Sequence, residues 1–263
     1  MELGLRGKVA MVAAASRGLG FGIARELARE GALVSIGSRT ESEIHDAAET
    51  LMNETGGDVL ANVIDASDPD SIQEWTEATA DAFGGVDMLV VNAGGPPAGR
   101  FDDFEDEDWQ AAFDLTLMSS VRMVRCALPF MREAGGGSIL TITSVSVKEP
   151  IDFLLLSNVM RSGVTSLAKS LSKQLAPENI RVNNLMPGRI DTDRVRSLDS
   201  MNAEKQGILP EEIKAANERG IPLRRYGTIE EFGRLGAFLL SDAASYITGQ
   251  TIAVDGGSVG TVW

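Results

Sequence analysis

A chain of 263 residues, 43% of them hydrophobic, is long enough for one sizeable α/β core, and no apolar run approaches the roughly 18 residues that a membrane-spanning helix needs. The net charge of −14 excludes the basic footprint of a nucleic-acid binder. The one cysteine, Cys126, excludes an internal disulfide and fits a cytoplasmic protein, while the one histidine, His45, leaves no His-based triad or clustered metal site.

Met1 to Arg6 lead almost directly into an apolar run, with no signal-peptide pattern. Short β-branched runs then alternate with helical patterns, which predicts βαβ units on a parallel sheet. The predicted strands are Val9–Ala14, Leu33–Ile36, Val59–Ile64, Met88–Val91, Ser138–Thr143, Ile180–Leu185 and Thr251–Val254. Continuous apolar runs of this kind suit strands buried on both faces. After the first strand, Ile23, Ala24, Leu27 and Ala28 fall at helical spacing. The acidic run 102–108 leads into a helix at Trp109, where acids favour the positive end of the dipole. After the sixth strand comes a long stretch without clear periodicity, 189–223, which borders the carboxyl ends of the strands, where open α/β sheets bind ligands. The expected architecture is a single α/β domain over 1–263, a Rossmann-like doubly wound parallel sheet of about seven strands, with a loop or helix insertion at about 189–223 on the substrate side.

Five motifs lie in order along this frame: AAASRGLG (13–20), VVNAG (90–94), ITSVS (142–146), MPGRIDT (186–192) and ITGQTIAVDGG (247–257). In the first, Gly18 and Gly20 let a backbone approach a pyrophosphate and let helix and strand pack closely, and the helix N-terminus offers N–H donors with a partial positive charge.

Together the five motifs resemble the short-chain dehydrogenase/reductase family, nearest its β-ketoacyl-carrier-protein reductase branch, over essentially the whole chain. The resemblance implies a nicotinamide cofactor along Ala14, Ser16, Arg17, Gly18, Leu19 and Gly20, then Ser38, Arg39, Asp65 and Ala66, then Asn92, Ala93 and Gly94. At the far end it implies Pro187, Gly188, Ile190 and Thr192 beside the nicotinamide amide, and Asp65 as the acid that touches adenine. Ala14 stands where the family uses glycine, and the motif survives if the turn holds its φ below zero. NAD-selective members carry an acid at the end of the second strand; here Ile36-Gly37-Ser38-Arg39 has none, and Arg39 with Arg17 suits the 2′-phosphate of NADP better than NAD.

The family's proton donor is a Tyr thirteen residues after an active-site Ser, with a Lys four residues later lowering its pKa. Counted from Ser144, those positions hold Ser157 and Arg161, and the family's active-site Asn is Thr116. The two tyrosines of the chain, Tyr226 and Tyr246, lie in ordinary C-terminal segments with no Lys four residues on. An aliphatic hydroxyl is a far weaker acid than a phenol, and a guanidinium cannot relay a proton. Lys148, four residues after Ser144, is a second candidate acid near the mouth, against the alternative of a solvent-facing loop lysine. Arg189, Arg194 and Arg196 are candidates for binding an anionic substrate, with solvated or cofactor-facing arginines the equal alternative.

The expected activity is therefore an NADP-dependent oxidoreduction of a small carbonyl or hydroxyl compound. A non-redox lyase or isomerase that stabilises an enolate, and a catalytically silent NADP-binding protein, remain open. The resemblance also implies a homotetramer, built on the helices around 115–130 and 162–175, whose apolar stripes are Leu117, Val121, Val124 and Leu128, and Val164, Leu167, Leu171 and Leu175.

Overall fold

The structure, a computed structural model, describes residues 2–262. Seven strands form one sheet: β1 (Val9–Ala13), β2 (Leu33–Ser38), β3 (Val59–Val63), β4 (Met88–Val91), β5 (Gly137–Ile142), β6 (Ile180–Pro187) and β7 (Thr251–Val254). Their spatial order is β3-β2-β1-β4-β5-β6-β7, and every pairing is parallel. The order reverses between β1 and β4, which opens a crevice at their carboxyl ends. β2 and β6 each run two residues past the apolar stretches that foretold them. Ser38 and Pro187 still find register partners there, in Val63 and Val254.

Helices cover both faces. The alternation of side chains along β1 shows why both are needed: Ala10 and Val12 enter one core, Met11 and Ala13 the other. The first core is closed by α1 (Gly18–Arg29), α2 (Glu41–Thr55) and α9 (Ile229–Leu240), with Ile23, Ala24, Leu27 and Ala28 of α1 all buried in it. The second is closed by α3 (Pro69–Phe83), α5 (Ser119–Glu133) and α6 (Leu155–Leu175), around Trp75, Met123 and Met131.

The acidic run does more than favour a dipole. The helix it precedes, α4, spans Asp106–Ala112, earlier than Trp109, and the Asp108 carboxylate accepts the Glu105 backbone N–H at 3.0 Å while Asp103 accepts that of Arg100 at 2.7 Å. These carboxylates satisfy N–H groups that helix starts leave without partners. Between α4 and α5, residues Phe113–Met118 form a π-helical turn.

The stretch 189–223 is not irregular. It folds as α7 (Asp193–Gln206) and α8 (Pro210–Gly220), which pack on one another over the carboxyl edge of the sheet. α7 is polar almost throughout and buries only Asp199 and Ala203, so it carries too few apolar residues to display a period.

Candidate active site

A cleft of about 950 Å³ runs along the carboxyl ends of the strands beneath α7 and α8. One end is floored by the turn between β1 and α1. Ala14, Ser16, Arg17, Gly18 and Leu19 line it, with Ser38, Arg39 and Ala66 beyond and Asn92, Ala93 and Gly94 beside it. Helix α1 begins with no side-chain cap and no acid in its first turn, so its first N–H groups remain for a ligand. Gly18 sits at φ +64°, and Gly20 is needed for packing: a Cβ there would lie 2.5 Å from the Ala14 carbonyl oxygen. Gly20 therefore shapes the turn from behind and is not on the wall of the cleft. Ala14 departs from expectation, with φ at +50°, in the left-handed region that favours glycine.

Two further observations concern the polar groups that this end leaves free. The Ser38 Oγ is buried without a hydrogen-bond partner at the cleft wall, and Arg39, exposed beside it, makes no ion pair among the described residues. Arg17 is less free, its guanidinium lying 3.4 Å from Glu43 and 3.9 Å from Asp193. Asp65 does not face the cleft. Its Oδ1 accepts the Ser67 hydroxyl and backbone N–H at 2.7 and 2.9 Å, bonds that hold its carboxyl below the usual range and tie it into a local turn.

At the other end, β5 delivers Ser144 to the start of a short turn, where its Oγ accepts the Ser146 N–H at 3.1 Å. Helix α6 brings Ser157 and Arg161 to the same wall, one helical turn apart. The Arg161 Nε donates to the Ser157 Oγ at 3.2 Å and its Nη1 to the Ile142 carbonyl at 2.9 Å. Burial, and then the nearby Arg194, lower the Arg161 pKa to about 10, so it remains a cation at neutral pH. Ser144, Ser157 and Arg161 thus form a constellation of hydroxyl and cationic donors. Thr116 and Lys148 do not join it. Thr116 is buried on the π-helical turn, where Leu115 takes the place at the cleft, and its carbonyl is engaged by the Ser119 and Ser120 hydroxyls at 3.2 and 2.8 Å. Lys148 ends the turn after Ser144; the cleft wall takes Val145 and Glu149 instead, and Glu149 accepts the Gly260 N–H at 2.7 Å.

The three candidate substrate arginines part company. Arg196 lies outside this cleft, 3.0 Å from Asp193 and paired with Asp191 as well. Arg189 borders the cleft but its Nη1 is held by Asp199 at 2.9 Å. Arg194, at the rim, reaches across to donate to the Pro96 carbonyl at 3.1 Å. Pro187, Gly188, Ile190 and Thr192 line the segment between, and Thr192 caps α7 by accepting the Val195 N–H at 3.3 Å.

The family model described as enoyl-(acyl carrier protein) reductase matches residues 13–259. The chain is 35% identical to human dehydrogenase/reductase SDR family member 4 over 97% of its own length and 88% of that protein's. The chain belongs to the short-chain dehydrogenase/reductase family. It is 33% identical to the 3-oxoacyl-[acyl-carrier-protein] reductase FabG of Chlamydia muridarum, with 95% of this chain and 96% of that one covered. The L-sorbose reductase of Gluconobacter frateurii, whose crystal structure holds NADPH and L-sorbose, superposes with a TM-score of 0.95 at 31% identity over 100% of both chains. Membership places this chain in a family of oxidoreductases.

Sequence reading missed two parts of the site. One is an apolar wall of Ile151, Phe153 and Leu154, facing Val195, Leu198 and Val259. Its signal was there, in the largely apolar stretch 151–156 that runs into the start of α6, of which Ile151, Phe153 and Leu154 line the cleft. The other is a buried polar network at the base of α7 and α8. The Tyr226 hydroxyl donates to Asp199 Oδ2 at 2.7 Å, and the Asn217 amide donates to Asp199 Oδ1 at 3.1 Å and to Tyr226 Oη at 3.0 Å. No local motif announces it, because its members lie up to 27 residues apart in the chain.

Proposed function

We propose that this protein is a cytoplasmic, NADP(H)-dependent oxidoreductase acting on a small carbonyl or hydroxyl compound, with Ser144, Ser157 and Arg161 around the reacting oxygen. One observation carries the reading: a single cleft combines the turn between β1 and α1, with its free N–H groups, at one end with two hydroxyls and a partly buried cation at the other. NADP is favoured over NAD by the lack of an acid at the end of β2, by Arg39 without an ion-pair partner, and by the orphaned Ser38 hydroxyl, all of which suit a 2′-phosphate. When bound, the nicotinamide supplies or accepts the hydride.

The chain's own residues do the rest. The Ser144 oxygen already accepts an N–H, so its hydrogen is left for the substrate oxygen. The Ser157 oxygen accepts from the Arg161 Nε, which polarises the hydroxyl and leaves its hydrogen to point at the same oxygen. Arg161 holds its proton and supports negative charge as it develops on that oxygen, in place of relaying a proton. A solvent proton then reaches the oxygen through the Ser157 hydroxyl. In this reading Ser157 and Arg161 take the place of the family's Tyr and Lys as a working pair.

Two measurements test it. Fluorescence titration is expected to find NADPH bound several-fold more tightly than NADH, with Arg39→Asp inverting the preference; equal affinities in the wild type would remove the basis for NADP. The double variant Ser157→Tyr/Arg161→Lys is expected to lower kcat/KM on the native substrate by roughly 30- to 1,000-fold, the usual cost of removing a charged hydrogen bond from a reaction centre. Unchanged or improved turnover would mean that Ser157 and Arg161 are passive replacements.

A further inference from the structure

The arginines at the reaction end differ from those around them in one respect. Arg17, Arg189 and Arg196 each lie within 4.0 Å of a carboxylate, as an acidic protein allows. Arg161 and Arg194 have no carboxylate partner among the described residues, yet both face the same cleft, close enough for Arg194 to depress the pKa of Arg161. Two like charges brought together in a partly buried site are costly unless an anion joins them. The fold has not relieved that cost, although acids outnumber bases 38 to 24 in the chain.

The donors left over define the missing anion. Arg161 spends Nε on Ser157 and Nη1 on Ile142, which leaves Nη2 without a protein partner. Arg194 spends one Nη2 bond on the Pro96 carbonyl, and that bond pins the guanidinium beside Gly95, where a Cβ would lie 3.3 Å from Nη2. What remains is a small set of N–H groups in the same cleft as the Ser144 and Ser157 hydroxyls. That set suits a planar monoanion with two oxygens better than a tetrahedral dianion with three. Glu149, the acid on this side of the cleft, is engaged by the Gly260 N–H.

We infer that Arg161 and Arg194 together hold the carboxylate of the substrate, which is an oxo acid or the corresponding hydroxy acid whose carbonyl or hydroxyl oxygen lies against Ser144 and Ser157. The inference rests on the oxidoreductase reading above and specifies its substrate class. Arg194 acts by binding, at the rim, and Arg161 serves both the carboxylate and the reacting oxygen.

The test is calorimetric titration of the protein, with and without saturating NADP+, using acetoacetate, its uncharged methyl ester, and inorganic phosphate. Acetoacetate with NADP+ is a dead-end pair, so binding is read without turnover. Acetoacetate is expected to bind at least about tenfold more tightly than the ester. Arg194→Gln should remove that advantage while leaving the affinities for ester and NADP+ within about twofold, and Arg194→Lys should restore part of it. Because Arg194 is an exposed rim residue, these variants retain the fold. Equal binding of acid and ester, no measurable binding of the acid, phosphate binding as tightly as acetoacetate, or an Arg194→Gln protein that still discriminates would each overturn the inference. Failure of NADP+ itself to bind would count against the cofactor reading alone, since the titration without cofactor still reports on the arginine pair.

Discussion

Ala14 carries a methyl group into a backbone conformation that costs an L-residue about 1–2 kcal/mol relative to the right-handed region. The position is nonetheless useful, since the Ala14 carbonyl takes the Asn92 amide at 3.4 Å and a tight turn is what brings α1 onto β1. Ala14→Gly is therefore expected to raise stability by about 0.5–1 kcal/mol, or roughly 1–4 °C in Tm for a chain of this size, with cofactor affinity unchanged or improved. Thermal unfolding followed by circular dichroism would check it, and a fall in Tm would mean that the alanine methyl makes a packing contact worth more than the strain. The same residue limits what spacing can tell. That a turn lies at 13–20 was legible from its glycines, but the sign of φ at Ala14 depends on how the whole turn closes. Asp65 makes a parallel point: how much of a carboxylate at a motif position is left for a ligand depends on its neighbours, and here Ser67 takes Oδ1.

At the scale of elements, α7 and α8 form the roof of the cleft, and the Asp199–Tyr226–Asn217–Arg189 network fastens that roof to the segments after β6 and α8. Burial, reinforced by the hydrogen bond to Asp199, pushes the Tyr226 phenol up to about 12. The phenol in the unfolded chain ionises near 10, so its contribution to stability is complete below pH 10 and is lost as pH rises toward 12. Tyr226→Phe should cost about 1–2 kcal/mol at neutral pH by leaving Asp199 short of a donor, and the gap between wild type and variant should narrow between pH 10 and 12. Melting curves across that range would show it; a gap independent of pH would exclude the phenol as the titrating group. The variant should also raise KM more than it lowers kcat, because a looser roof weakens binding without touching Ser144, Ser157 or Arg161. None of this was visible in the polar, aperiodic stretch from 189 to 223, where helices are held in place by buried polar contacts and not by an apolar stripe.

For the whole molecule, the proposed assembly is a homotetramer, and the structure divides the stripes that suggest it. Val124, Val164 and Leu175 are buried in the protomer's own core, whereas Leu117, Val121 and Leu167 are only half-buried and Val159, on the same helix as Leu167, is 47% exposed. These last residues are the ones that a second copy would cover. Light scattering at physiological and molar salt should give four times the monomer mass at both, since an apolar interface is not weakened by screening. A monomeric mass at either salt concentration would refute the tetramer.

The sequence by itself determined the sheet and the motifs at its carboxyl edge. A buried parallel strand must be a continuous apolar run, a helix packed on it must repeat every three to four residues, and glycine must stand where helix and strand nearly touch. Those are local constraints, and Val9–Ala13, Ile23–Ala28 and Gly18–Gly20 display them directly. Only the tertiary structure decided which polar groups are free. Arg189, Arg194 and Arg196 are indistinguishable in a line of text. One ends against Asp199 and one against Asp191 and Asp193, while the third alone donates to a backbone carbonyl, that of Pro96, and has no carboxylate partner among the described residues. The availability of a charge is a property of its neighbours in space, and those neighbours come from segments that the chain brings together only when it folds.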